Sequence, residues 1–374
     1  RDIGVDAANL GLLSSAYFIA FASAQIPLGI ILDHLGPRKV GASLLVFGAL
    51  GALIFAFSDT LFNLIVGRAF IGFGVSACLM ASFKAFVDWF PKERIALANG
   101  AIMTAGGLGA LTATAPVEFA VQLTDWRGVF IGLAVLTLLA SLAIYFVVPE
   151  RPPEKKQPGD STFNDQFQGL LLIIKHPIFL RYVPVSVVSQ GSMLAIQSLW
   201  VGPWLRDVGG LSRGETANSL LMMAIALACG FLSWGVISER LGHLGISSMK
   251  TSLFGMAIFS IMQLILISEP ISFMVPALVL FAFFGTAGSL SYAGLVYIFP
   301  AHLAGRVYTT VNLLVFIVAF TAQWGIGLII NLWPQPAPGQ FSAIGYQVAF
   351  ATVLSIQLSC FAWIWIAKFI RPQK

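Results

Sequence analysis

Charged residues are scarce in this sequence of 374 residues, because Asp, Glu, Lys and Arg together make up only 10% of it. Apolar residues make up 58%, and the mean hydropathy is +0.88. A soluble domain of this length carries more charge and fewer apolar residues. The composition therefore excludes an ordinary soluble protein and predicts a membrane protein.

Residues that carry disulfide, metal or phosphate chemistry are also few. The three cysteines fall within apolar runs, which argues against a disulfide framework. The four histidines lie at loops or at the ends of apolar runs without metal-ligand spacing, and no HExxH occurs. The glycine-rich run at 105–116 lacks a Walker lysine. We therefore predict that the chain is not an enzyme and uses neither a metal nor a cofactor.

Long apolar runs are what the sequence has in abundance. A helix needs about 20 apolar residues to cross a bilayer, and eleven segments meet that length. They lie at 10–32, 40–58, 61–86, 96–120, 128–148, 178–202, 215–237, 247–268, 272–298, 307–331 and 345–367. The sequence thus predicts an all-α membrane protein with eleven membrane-spanning helices.

Basic residues are unevenly distributed over the predicted loops. Sixteen of the 21 Lys and Arg lie on the side that contains Arg38 and Lys39, four lie on the opposite side, and Arg68 alone lies well inside a span. Cytoplasmic loops carry an excess of Lys and Arg, so we predict a multi-pass protein of the cytoplasmic membrane with a cytoplasmic C-terminus. The net charge of +5 follows from this topology, and no nucleic-acid partner is needed to explain it.

The two halves of the chain resemble each other at polar and glycine positions. A shift of 206 residues aligns Gly29 with Gly235, Asp33 with Glu239, and Gly36 with Gly242. Parallel repeats of this size are typical of two-bundle transporters, so we predict pseudo-symmetric helical bundles at 1–148 and 178–374. The stretch at 149–177 begins with a run rich in Pro and charge and is predicted to be a cytoplasmic linker. Because the second copy opens with a span that the first copy lacks, we expect twelve spans in the complete protein.

Two motifs are similar to those of the major facilitator superfamily. GIILDHLGPRK at 29–39 resembles the family's G-x-x-x-D-x-x-G-x-R-K loop between helices two and three, and RAFIGFG at 68–74 resembles its helix-four pattern R-x-x-x-G-x-G. DWFPKER at 88–94 and DWRGVF at 125–130 lie where the family has similar stretches. The resemblance covers essentially the whole chain. It implies two six-helix bundles and a secondary transporter that works by alternating access, which we expect to be a monomer.

The first motif surrounds a turn at the predicted cytoplasmic face. Gly29 lets two helices approach closely, Gly36 permits a sharp reversal, and Asp33 can satisfy N–H groups at a helix end. The resemblance implies that this cluster latches the two bundles together; the alternative is that Arg38 and Lys39 only fix the topology. The residues assigned to the latch are Gly29, Asp33, Gly36, Arg38, Lys39, Asp88, Glu239 and Arg240.

Charged residues within the predicted spans are candidates for function, because they are costly there. Arg68 and Glu118 are predicted to lie near the same outer level, where they can pair. A carboxylate that alternately pairs with an arginine and binds a proton is one way to couple transport to a proton gradient. The alternatives are a purely structural pair or a Glu118 exposed at the rim. Lys84 lies one helical turn before Asp88, which favours an ion pair or snorkelling over a substrate contact.

Uncharged polar residues are candidates for lining the transport pathway. Gln190, Gln197 and Trp200 are spaced by seven and three residues and are predicted to share one helix face. Ser289 and Tyr292 provide hydroxyl groups in the span at 272–298. The resemblance implies that these two spans and that of Arg68 line the pathway. For each residue alone, an interhelical hydrogen bond is an equal alternative.

These observations predict a proton-coupled secondary transporter of a small organic solute, either an anion or a polar metabolite. Arg68, Lys84 and the lack of an acid in mid-span favour an anion. The alternative is a proton-driven exporter of drugs or metabolites, which needs a carboxylate to titrate. A third hypothesis is a nutrient sensor that has kept the carrier fold without translocating a solute.

Overall fold

The computed structural model describes residues 6–89, 102, 105–149, 173–269, 273–296, 304–337 and 339–370. All regular elements in these ranges are helical, and ten helical segments there are long and apolar enough to cross a membrane. The prediction of an all-α membrane protein is confirmed. The ten segments match ten of the predicted spans. The eleventh, at 96–120, lies partly outside the described residues.

The helices of the first half follow the predicted spans, except that two spans form one continuous helix and two others are interrupted by a turn. α1 contains two spans, at Ala7–Gln25 and Leu35–Ala56, which are joined across a kink at Gly36. The predicted span at 61–86 is interrupted by a turn at 76–77, and a turn at 113–114 separates the helical residues 105–112 from α4. The helices are α1 Ala7–Ala56, α2 Leu61–Val75, α3 Cys78–Trp89, α4 Ala115–Leu123 and α5 Trp126–Val147.

Two helices of the second half are irregular in the middle. A π-helical turn at Ile196–Trp200 separates α6 from α7, and a 3₁₀ turn at Thr286–Ser289 separates α10 from α11. Such interruptions are frequent at functional sites and in transporters. The helices are α6 Pro177–Ala195, α7 Val201–Asp207, α8 Arg213–His243, α9 Ser248–Ile267, α10 Met274–Gly285, α11 Leu290–Val296, α12 Ala304–Ile330 and α13 Ala343–Ile370.

The chain divides into two compact units. The first unit consists of Ala16–Gln166, and the second of Ile3–Ser15 together with Phe167–Lys374. Within the second unit, the start of α1 is fixed to the end of α12, because the backbone N–H of Ala7 donates to Oδ1 of Asn331 at 3.0 Å. The first turns of α1 therefore pack with the C-terminal helices.

Glycines allow α1 and α2 to cross in close contact within the first unit. A Cβ atom on Gly51 would lie 2.6 Å from the backbone nitrogen of Ile71, and one on Gly74 would overlap the backbone of Gly48. A Cβ atom on Gly72 would overlap the carbonyl group of Tyr17. Small residues at helix crossings let backbones approach and gain packing energy inside a membrane. This contact explains both glycines of the R-x-x-x-G-x-G motif.

The DWRGVF stretch builds the corner between α1 and α5. The Asp125 side chain caps α5 by accepting from the backbone N–H of Gly128 at 2.7 Å. Arg127 donates to the carbonyl oxygen of Ala56, the last residue of α1, at 2.7 Å and to Asp59 at 2.8 Å. The carbonyl groups of a final helical turn have no partner within the helix, so Arg127 satisfies one of them.

In the second unit, two hydrogen bonds to Asp207 likewise join the end of one helix to the start of another; we call this pair of bonds the Asp207 clasp. The buried hydroxyl group of Tyr346 on α13 donates to Oδ2 of Asp207 at 2.9 Å, and the backbone N–H of Phe341 donates to the same oxygen at 3.2 Å. Trp200 and Trp204 are almost completely buried beside this clasp. The end of α7 is thereby tied to the start of α13.

Candidate functional site

Arg68 lies on α2 among aromatic side chains of the first unit. Its Cζ atom is 5.0 Å from the ring centroid of Phe55 and 5.6 Å from that of Phe130. These two centroids are only 4.3 Å apart, so both rings cover the guanidinium group from the same side. The Nε atom of Arg68 is buried and has no hydrogen-bond partner among the described residues. The guanidinium group is therefore covered by rings on one side and is not paired with a described acid.

The energy of these contacts does not offset the burial of the charge. A desolvated cation–π contact contributes roughly 2 kcal/mol. Removing one ion from water costs several kcal/mol even after the protein relaxes. A negatively charged partner at the open side of the guanidinium group would supply the missing stabilisation.

The predicted pair of Arg68 and Glu118 is not formed. Both side chains are described, and no ion pair joins them. Glu118 lies in the first turn of α4, and its Oε1 atom is buried without a hydrogen-bond partner in the described part of the chain. A turn at 113–114 comes directly before the helix that carries Glu118.

Two polar residues of α1 contact α2 or the turn that follows it, although sequence analysis did not single them out: Tyr17 near Arg68, and Gln25 at Ser76. The hydroxyl group of Tyr17 is close enough to the Arg68 guanidinium group and to the Cys78 thiol to interact with both electrostatically. The buried Gln25 donates from Nε2 to the carbonyl oxygen of Ser76 at 3.3 Å, where the turn separates α2 from α3. A Tyr and a Gln inside an apolar run give no signal that distinguishes them from packing residues.

The latch motif of the first half lies at the kink of α1. Gly36 has a φ of 77° and a ψ of 160°, a conformation that glycine adopts at low cost. Arg38 donates from Nε to the carbonyl oxygen of Tyr145 at 2.8 Å, and its Cζ atom is 5.0 Å from the Tyr145 ring centroid. Lys39 is exposed. Gly29 lies within α1, and the side chains of Asp33 and Asp88 lie outside the described residues.

The second copy of this motif differs from the alignment by three residues. Gly242, which the shift of 206 aligns with Gly36, lies inside α8 and has no positive φ. Gly245 has a φ of 78° and forms the turn between α8 and α9. The matching turn glycines are therefore 209 residues apart. Glu239 and Arg240 are exposed in the last turns of α8.

Gln190 and Trp200 contact different helices of the second unit. Gln190 donates from Nε2 to the carbonyl oxygen of Gly285 on α10 at 3.3 Å and packs against Gly288. Trp200 is fully buried and donates from Nε1 to the carbonyl oxygen of Gln323 on α12 at 3.0 Å. A π turn at Ile196–Trp200 changes the number of residues per turn here, so the spacing of seven and three residues alone does not fix a shared face, which stays a prediction.

The other uncharged candidates differ in whether their polar groups form hydrogen bonds. Ser289 donates to the carbonyl oxygen of Thr286 at 2.7 Å, and Tyr292 packs against an apolar cluster around Val183 and Val311. Gln197 is half-buried on the π turn, and its amide has no hydrogen bond to the described residues. Lys84 is half-buried on α3. Gln197 is therefore the candidate of the second unit whose amide remains available to a solute.

A cavity of about 630 Å³ lies elsewhere in the second unit, at the turn between α8 and α9. Its lining includes Ile178, Tyr182, Ser247, Lys250 and Gly294. None of the predicted pathway residues lines it, so this cavity does not coincide with the predicted site.

Comparisons with curated proteins identify transporters as relatives. The chain is 27% identical over 183 residues to the nitrate/nitrite transporter NrtP of Picosynechococcus sp., a match that covers 41% of this chain and 34% of the relative. It is 24% identical over 251 residues to the probable sulfoacetate transporter SauU of Cupriavidus necator, which covers 64% of this chain and 58% of the relative. The chain thus spans less than two thirds of the length of either relative. The prediction that the chain is not an enzyme is confirmed by these relatives.

A solved structure and a family model agree on the fold. The structure is that of a bacterial homologue of the human lysosomal transporter Spinster, in an inward-facing and occupied conformation. It matches with a TM-score of 0.76 at 15% identity and covers 98% of this chain and 90% of that one. The family model of the Major Facilitator Superfamily matches residues 1–323. This chain therefore belongs to the Major Facilitator Superfamily.

Proposed function

We propose that the chain is a secondary transporter that moves a small oxyanion across the cytoplasmic membrane by alternating access, coupled to protons. The observation that carries the proposal is the half-buried Arg68, whose Nε atom is buried and whose guanidinium group has two aromatic rings on one side and no described acid as a partner. A carboxylate, sulfonate or nitrate group can form two parallel hydrogen bonds with such a group. Nitrate, nitrite and sulfoacetate, the solutes named for the two relatives, are all oxyanions.

The cost of moving negative charge supports the proposed proton coupling. Uptake of one negative charge into a cell with a negative interior is opposed by about 2.3 kcal/mol for each 100 mV. Entry of one proton with each charge cancels this cost. We assign the proton to Glu118, because its buried Oε1 atom lies free of any described hydrogen-bond donor.

The latch is proposed to regulate the conformational change. Asp33→Asn should leave the protein folded but shift it toward an inward-open state and slow transport, since a few charge-assisted contacts bias conformations that differ by a few kcal/mol. A cysteine introduced on the cytoplasmic side should then react faster with a membrane-impermeant thiol reagent. Unchanged labelling together with normal flux would leave Asp33 with a topological role only.

The binding role of Arg68 is tested with purified protein in proteoliposomes. Arg68→Gln should abolish the thermal stabilisation by nitrate and sulfoacetate, and Arg68→Lys should retain part of it without the bidentate geometry. Arg181→Gln is the matched control, because Arg181 also lies against a tyrosine ring, Tyr182 at 5.1 Å, but donates to the carbonyl oxygen of Ile364. Anion binding that is unchanged in Arg68→Gln would refute the proposal.

Transport measurements separate the alternatives. Counterflow of the anion with a response to a pH gradient supports the proposal, and Glu118→Gln should remove only the response to pH. Export of cationic drugs driven by protons, without anion flux, would favour the exporter. Anion binding without any flux would favour the sensor.

A further inference from the structure

Tyr17 is held beside Arg68 by direct contact between two helix backbones. Gly72 lies one helical turn after Arg68 on α2, and its Cα atom is so close to Tyr17 that a Cβ atom there would overlap the Tyr17 carbonyl group. The residue at position 17 therefore lies next to the face of α2 that carries the arginine. The Tyr17 hydroxyl group is correspondingly within electrostatic range of the guanidinium group.

The ring of Tyr17 is fixed, but its hydroxyl group is not engaged. The ring stacks on Phe21 with a centroid distance of 6.1 Å and meets Phe18 edge-on at 5.5 Å. Among the described residues the hydroxyl group has no hydrogen bond, and Tyr17 is only half-buried. A tyrosine hydroxyl group inside a protein normally finds a partner. This one has no partner among the described residues and is available to a ligand as a donor.

The arginine and the tyrosine together provide more donors than a carboxylate can use. A bidentate pair with one edge of a guanidinium group engages two oxygens of an anion. A carboxylate has no further oxygen on the same carbon, whereas a sulfonate or a nitrate has a third. That third oxygen needs another donor, because a buried acceptor without a hydrogen bond is costly.

We propose that Tyr17 donates a hydrogen bond to a third oxygen of the anion held by Arg68, and that it thereby selects three-oxygen anions over carboxylates. The inference rests on the proposed function and specifies the substrate class of the same site. It assigns to Tyr17 a role in specificity rather than in overall binding.

Sulfoacetate and malonate form a matched pair of probes, because they differ by the exchange of one sulfonate for a carboxylate. The dissociation constants of both, and of nitrate, are measured on the purified full chain by isothermal titration. Tyr17→Phe keeps the ring and its contacts with Phe18 and Phe21. It should weaken the binding of sulfoacetate and nitrate about tenfold, which corresponds to one hydrogen bond to a charged group, and change malonate binding less than about twofold. Tyr145→Phe is the hydroxyl control and should change neither, since Tyr145 contacts Arg38 through its ring and its backbone.

The possible outcomes separate this inference from the proposed function. If Arg68→Gln abolishes binding of all three anions while Tyr17→Phe weakens them equally or not at all, the role of Tyr17 is refuted and the anion site stands. If the wild-type chain binds none of the three anions, both are refuted. A loss confined to sulfoacetate and nitrate supports both.

Discussion

Replacing Arg127 separates two contacts that differ in their exposure to water. The guanidinium group donates to the carbonyl oxygen of Ala56 at 2.7 Å and to Oδ1 of Asp59 at 2.8 Å. Ala56 is fully buried, whereas the side chain of Asp59 is 84% exposed. Water can replace the arginine at Asp59 but not readily at the carbonyl group. The two contacts should therefore contribute unequally to stability.

The magnitudes decide which contact matters more. A hydrogen bond to a charged group contributes about 1.5–3 kcal/mol, and a buried acceptor that loses its partner costs a similar amount. An exposed ion pair contributes roughly 0–1 kcal/mol. We expect Arg127→Gln to lower the free energy of unfolding by about 2 kcal/mol, and Asp59→Asn by less than about 0.5 kcal/mol.

Unfolding of the purified protein in detergent, followed by tryptophan fluorescence, measures both effects. Arg127→Lys should fall between the wild type and Arg127→Gln, because an ammonium group can reach one acceptor but not both with the same geometry. Raising the salt concentration should change the loss in Arg127→Gln little, since salt screens mainly the exposed pair. Equal losses for Arg127→Gln and Asp59→Asn would refute this reasoning and make the ion pair the main contribution.

Three further predictions use the same unfolding measurement. Gly245→Ala should lower the free energy of unfolding by about 1–2 kcal/mol because its φ is 78°, whereas Gly242→Ala should not lower it, because a Cβ atom there meets no atom within 4 Å. Gln263→Met should raise the melting temperature, since both polar atoms of this buried amide lack a described hydrogen-bond partner. A lower melting temperature would show that the amide does form hydrogen bonds. Burial raises the pKa of Glu269 above its usual 4.5, so the folded protein binds this proton more tightly than the unfolded chain and is destabilised as the pH rises through the raised pKa. Glu269→Gln should thus stabilise the protein at neutral pH and lose this effect below pH 4.5, and a gain that is independent of pH would contradict this origin.

The positions of the spans could be predicted because they depend on local composition. The apolar run at 128–148 became α5, Trp126–Val147, and the run at 247–268 became α9, Ser248–Ile267. The internal breaks could not be predicted in this way. The 3₁₀ turn at Thr286–Ser289 lies where the Gln190 side chain packs against Gly288, a contact between residues about 100 positions apart that no hydropathy window contains.

Only the charged residue of the candidate site could be predicted from the sequence, because a charge inside an apolar span is costly. Arg68 stands out because an arginine inside an apolar span is expensive. Phe55 and Phe130, which cover its guanidinium group, are two of 31 phenylalanines, and nothing in the sequence distinguishes them. The expected pairing with Glu118 used only the depth of each residue in the membrane. Depth does not determine which way a helix faces, so it cannot predict whether two side chains meet.

The glycines of the R-x-x-x-G-x-G motif and its arginine are parts of one arrangement. Gly74 brings the backbone of α2 against Gly48, and Gly72 brings it against Tyr17, so α1 and α2 are in contact at two separate points. Close-packed backbones have little room to slide, because any shift meets atoms rather than flexible side chains. Arg68 and Tyr17 therefore lie on two helices whose backbones are in direct contact. The anion site proposed above would thus have both of its donors on closely packed helices, as a precise binding site needs.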